Sequence, residues 1–282
     1  MEFARWTKIG VIIALCSLLV YELYWVFSIF GFIYRRFSLN LSIGFQRFYF
    51  DIFPGATGDV LRVIGVCLFL FAVYLLWGPK PREFASVKKY FAVGILFEAV
   101  FWLVALPITV ITLFSASAYS FLPLAYVVQI LVVSSLLIFL SLKVWHYQKS
   151  NNYDILKWGG LSAIGYLTGI WIINVFRWFG MAQSAGLGFL FSGITSLGFL
   201  NSIITLSFAL IFAVSGFYFG IRTGNRKLAI RFSALALIML SLFFFIFILY
   251  TAFTNSWNFL LVTEIWPMGL LILGLGMLRG EI

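Results

Sequence analysis

Fourteen of the 19 Lys and Arg residues in this chain gather in five clusters, and each cluster falls where an apolar run stops. The clusters are Arg5/Lys8, Lys80/Arg82/Lys88/Lys89, Lys143/Lys149/Lys157, Arg222/Arg226/Lys227/Arg231 and Arg279. Between neighbouring clusters lies enough apolar sequence to cross a bilayer twice, at about 20 residues per crossing. Cytoplasmic loops of membrane proteins carry the excess of Lys and Arg. The pattern therefore predicts an all-α, polytopic helical membrane protein with about eight transmembrane helices in four hairpins and both termini cytoplasmic.

Composition excludes the alternatives. Of 282 residues, 63% are hydrophobic and only 10% are charged. Soluble domains carry about 25% charged residues. So little charge cannot cover a water-facing surface, so the helices need lipid around them. The net charge of +10 is spent at the ends of apolar runs. That placement fits orientation at anionic lipid and argues against nucleic acid. The expected address is an integral, multi-pass position in the plasma membrane.

Spans are expected near 9–34, 60–77, 90–114, 123–145, 158–179, 197–219, 229–253 and 260–278. Basic residues open the hairpins at Lys8, Lys88, Lys157 and Lys227. The chain reads as one transmembrane domain, 1–282, which two four-helix halves, 1–150 and 151–282, would also satisfy. Gly165/Gly169, Gly216/Gly220 and Gly276/Gly280 repeat at four residues, a spacing that lets helix backbones approach. Ser162 extends the Gly165/Gly169 face.

Chemistry-bearing residues are few. The first span carries a polar stripe, Ser17, Tyr21, Tyr24, Ser28, Gly31 and Arg35, on one helical face. Glu22 lies mid-span and Glu98 about a third of the way into the third span. A carboxylate in hydrocarbon is expensive, so both are candidate functional residues. Arg62 and Arg177 are placed at the outer ends of their spans, where arginine snorkels. Glu22 could pair with Arg177. A Glu98–Arg62 pair is disfavoured, because the assigned spans put the two towards opposite sides.

The segment from Arg35 to Asp59 breaks the charge rule and is rich in aromatics. Phe53 to Asp59 reads as a turn, with Asp59 an N-cap. Arg47, Asp51, Asp59 and Arg62 form an outer-face set that could bind a lipid-linked phosphate. Within it, Tyr49-Phe50-Asp51-Ile52-Phe53-Pro54 resembles the first-loop signature of the GT-C glycosyltransferases. That resemblance implies a multi-span enzyme with a polyprenyl-phosphate donor. It covers six residues, and the sequence departs from the family's pattern at Phe53 (His there) and Gly55 (Pro there). The acidic pair expected after the first span is replaced by Arg35 and Arg36.

Nothing calls for a cofactor. His146 is the one histidine, Cys16 and Cys67 sit in apolar runs, and no CxxC or HExxH occurs. A haem or multi-histidine metal site is thereby disfavoured. Two functions lead: a transporter or channel-like protein, and a non-catalytic membrane subunit of a larger complex. An enzyme acting on lipid or lipid-linked phosphate at the outer face ranks behind them. Expected partners are the lipid bilayer and either protein subunits or further copies of the chain.

Overall fold

A computed structural model describes residues 2–37, 53–107, 109–110, 122–148, 152–185, 194–254 and 260–279. Among them are eight helices: α1 (Glu2–Phe37), α2 (Phe53–Trp77), α3 (Phe84–Val104), α4 (Leu122–Trp145), α5 (Asn152–Ala185), α6 (Ile194–Ile221), α7 (Arg226–Thr254) and α8 (Leu260–Arg279). Six of these, all but α3 and α8, contain a described segment long and apolar enough to cross a membrane. The protein is a multi-pass helical membrane protein.

Each helix packs mainly on its two chain neighbours, and α8 returns to pack on α1, so the eight close into a ring. Outward faces carry large apolar side chains in helical stripes, such as Leu124, Val128, Leu131, Phe139 and Leu142 on α4 and Ile204, Phe208, Ile211 and Tyr218 on α6. The buried positions between helices are mostly small: Ala72, Ala92, Ala99, Ser134, Ala209, Ala234 and Ser241. Lipid offers no hydrophobic drive for helices to associate, so close backbone packing holds the ring.

Glycine makes the ring's closure between α1 and α8 possible. A methyl group on Gly10 would sit 2.6 Å from Leu273 Cα, and one on Gly269 would sit 2.5 Å from Ala14 Cα. Pro267 within α8 is steadied from α7, where the buried Ser241 hydroxyl donates to its carbonyl at 2.7 Å. Between α6 and α7 the chain turns through Gly224 at φ 66°, and Asn225 Oδ1 accepts from the Leu228 amide at 3.2 Å, capping α7.

The α2–α3 hairpin positions the site. Gly58 meets Phe101, Arg62 meets Glu98, Gly65 meets Gly94 and Phe71 meets Tyr90. Each step forward on α2 is matched by a step back on α3, an antiparallel register that pivots near Lys80. Gly65 and Gly94 set the spacing, since a methyl group on either would lie 3.2 Å from the other's carbonyl oxygen.

Three expectations need correction. Phe53 to Asp59 is not a turn. It is the first part of α2, where Pro54 is tolerated because first-turn amides have no intrahelical acceptor. Asp59 is therefore inside the helix rather than its N-cap. Nor does the third helix start at 90: α3 begins at Phe84 and ends at Val104, the chain is helical again at 106–107 and 109–110, and residues 111–114 of the expected span lie outside the described residues. Glu98 thus lies two-thirds of the way along α3.

One end of the ring collects basic and aromatic side chains. Lys8 Nζ lies 5.6 Å from the Trp77 ring, Lys89 Nζ 5.5 Å from Trp145, and the Arg279 guanidinium 5.2 Å from Trp6. Lys88 Nζ donates to the Tyr147 carbonyl at 2.8 Å, and Lys143 pairs with Asp154 at 3.1 Å. His146 also lies here, its Nδ1 2.9 Å from the Leu142 carbonyl oxygen in its own helix.

Candidate functional site

Level with one another in the ring lie three charged side chains from three helices. Arg62 on α2 is 15 residues before Trp77, and Glu98 on α3 is 14 after Phe84. At 1.5 Å per residue both sit about 21–23 Å from the basic end. Arg62 Nε donates to Glu98 Oε2 at 3.0 Å, and Arg62 Nη1 lies 2.9 Å from Glu22 Oε1 on α1. The guanidinium also lies over Phe101, 4.5 Å from the ring centre. A guanidinium suits this position, because its fixed fork of donors serves two carboxylates at once.

The two carboxylates are not equivalent. The side chain of Glu22 is 2% exposed and that of Glu98 is 23% exposed. Glu22 Oε1, though close to Arg62, has no aligned hydrogen bond among the described residues. Glu22 is thus the sealed end of the triad and Glu98 the accessible end.

Further polar groups face the triad. Asp59, one turn before Arg62, is in electrostatic reach of both Arg62 and Glu22. Tyr21 is in reach of Glu22, Arg62 and Asp59. Tyr166 comes from α5 on the far side of the α3–α4 pair and is in reach of Arg62, Glu98 and Tyr21. Its ring packs edge-on against Trp102 at 5.9 Å. Counted formally among the described residues, three carboxylates surround one guanidinium, a surplus of negative charge. Among the described residues no group of three or more His, Cys, Asp or Glu is arranged to hold a metal ion.

The expected candidates are redistributed. Glu22, Glu98, Arg62, Asp59 and Tyr21 come together. The disfavoured Glu98–Arg62 pair is formed, because the true start of α3 brings Glu98 level with Arg62. Arg62 is nine residues inside α2 and turned inward rather than snorkelling from its end. The Glu22–Arg177 pair is not formed; exposed Arg177 instead donates to the Tyr126 hydroxyl and lies 5.7 Å from that ring. Tyr24 packs edge-on against Trp25 at 6.2 Å, outside the triad. The polar stripe of α1 serves several neighbours: Ser17 is buried towards α8 beside Gly269, and Ser28 is exposed. Arg47 and Asp51 lie outside the described residues, as do the side chains of Gly31 and Arg35. Cys16 and Cys67 are free and exposed.

Tyr166, Phe101 and Gln129 were not singled out from the sequence. Tyr166 had a signal: it follows Gly165 on a helix whose small face was noted, and it projects about 100° away from that face.

No protein-family model matches the chain, no curated protein matches it, and no solved structure matches it.

Proposed function

We propose that this chain is a membrane transport protein, transporter or channel-like, whose proton- or cation-binding group is the Glu22–Arg62–Glu98 triad. One observation carries the reading: two carboxylates share one arginine about 20 Å above the basic end of the bundle, in a bilayer whose hydrocarbon is about 30 Å thick. One guanidinium cannot neutralise Glu22, Glu98 and Asp59 together. In a low-dielectric setting the surplus has to be met by a proton or a bound cation. Glu98 offers the accessible side for that exchange and Glu22 the sealed side. Intramembrane carboxylates on a shared arginine, with tyrosine hydroxyls beside them, are the parts from which proton relays are built.

The topology that goes with this reading has eight crossings, with both termini and the basic end in the cytoplasm. It rests on the fourteen Lys and Arg residues clustered in the sequence and on the described ones, such as Lys8, Lys88, Lys89, Lys143 and Arg279, lying at one end of the ring. The alternatives draw less support. A non-catalytic subunit explains the apolar exterior, but lipid alone satisfies that exterior. An outer-face enzyme needs Arg62 free for a substrate phosphate, whereas its guanidinium is engaged by Glu22 and Glu98.

Purified protein in vesicles loaded with a pH-sensitive dye tests the proposal. Under an imposed potential the wild type should admit protons, and Glu22→Gln and Glu98→Gln should each slow entry at least several-fold. Equal rates in wild type, both variants and protein-free vesicles would overturn it.

A further inference from the structure

Away from the triad, α4 and α5 enclose a groove of about 380 Å³. It lies on the outward side of the ring: Tyr166 turns inward, while Gly165 and Gly169 form the groove's floor with Thr168. Its rims are exposed, with Leu124 at 46%, Val128 at 50% and Phe176 at 38%. The groove extends along α5 from Gly165 to Phe176, about 16 Å at 1.5 Å per residue. The groove is open to the outside along its length, and its walls are almost wholly apolar: Leu124, Val128, Val132, Ile172 and Phe176. Such a lining suits an extended hydrocarbon chain, which makes carbon–carbon contacts of about 4 Å with each wall.

Gln129 says that the occupant is more than hydrocarbon. The residue is 5% exposed, lines the groove and has no hydrogen-bond partner among the described residues. Its amide lies across Gly169, where a methyl group would come 3.0 Å from Nε2. Any side chain at 169 would push the amide out of the groove. An amide left unpaired in a membrane is costly, and nothing in lipid tails can satisfy it. A ligand with an apolar chain and a carbonyl oxygen would do so.

We infer that the α4–α5 groove binds one phospholipid, with an acyl chain laid along Gly165 and Gly169 and an ester carbonyl accepting from Gln129. The lipid enters sideways over the exposed rim from the leaflet at the end opposite the basic face, since Gln129 is only seven residues, about 10 Å, from the start of α4. The site is independent of the triad, so it stands whether or not the protein transports protons.

The test is photolabelling of the full chain in vesicles of phosphatidylcholine carrying a diazirine on one acyl chain, with labelled peptides read by mass spectrometry. Labelling should concentrate on peptides containing residues 124–132 and 165–176. Val128→Trp, which fills the groove from its exposed rim without entering the α4–α5 contact, should lower that labelling about threefold or more. Gln129→Leu keeps the volume, removes the amide and should also lower it about threefold, the worth of one modest hydrogen bond. Phe139→Trp, on the same exposed face of α4 but off the groove, should change nothing. Uniform labelling of the outward faces of α4 and α6, or groove labelling indifferent to both groove variants, would overturn the inference. So would a disulfide between copies through Val128→Cys, which would make a second copy the occupant.

Discussion

Replacing Arg62 by leucine removes, among the described residues, the one cation in contact with both Glu22 and Glu98. Its charge centre lies about 4 Å from each of theirs, given N–O separations of 2.9 and 3.0 Å. At an effective dielectric of about 20, each attraction is about 4 kcal/mol gross. Desolvation of the arginine and repulsion between the two glutamates return part of this. Removing one partner from a buried ion pair typically costs about 3–5 kcal/mol, because the other charge stays behind. We expect Arg62→Leu to lose about that much, read as the free energy of reversible unfolding in mixed micelles. Adding Glu22→Gln and Glu98→Gln should recover most of the loss, since the orphaned charges are then gone. Arg62→Lys should fall between, keeping the charge but losing the fork that reaches both carboxylates. An Arg62→Leu loss below about 1 kcal/mol, or a triple variant no more stable than the single one, would refute the electrostatic reasoning.

Gly269→Ala tests ring closure: its methyl group would meet the α1 backbone at Ala14, forcing α1 and α8 apart. The overpacking loss, about 1–3 kcal/mol, should exceed the gain of about 1 kcal/mol in helix propensity, so thermal unfolding should occur at a lower temperature. Topology is checked with a single cysteine at Arg82→Cys in a chain lacking Cys16 and Cys67. Membrane-impermeant maleimide should label it only in opened cells, and labelling in intact cells would invert the arrangement.

The helices were largely legible because apolar length and charged punctuation are strong signals in lipid. The expected span 123–145 matches α4, Leu122–Trp145, within a residue, since Lys143 marks one end and Pro123 the other. Boundaries failed where composition does not mark them. Val87 and Tyr90 sit among the lysines of the α3 start, so the apolar run begins at 90, six residues after the helix does at Phe84. That offset moves Glu98 out of register and makes a hydrogen-bonded ion pair look disfavoured. Counting back from the Gly78–Glu83 link, an antiparallel hairpin puts Arg62 opposite Glu98, so the pairing was readable once the link was located. Tyr166 was not readable, because its approach to the triad depends on how the ring closes across α3, α4 and α5. Similarly, Gly10 and Gly269 gained their meaning only when α8 met α1, a contact between the two ends of the sequence.

The most direct measurement is charge movement after a pH jump, recorded from vesicles of the protein adsorbed on a solid-supported membrane. It needs no knowledge of the cargo, because a proton reaching the triad moves charge through part of the bilayer. The wild type should give a transient current that is lost in Glu22→Gln/Glu98→Gln and kept in Glu83→Gln, whose carboxylate lies at the basic end beside α3. A current of the same size in all three proteins would contradict the triad as the protein's proton-binding group.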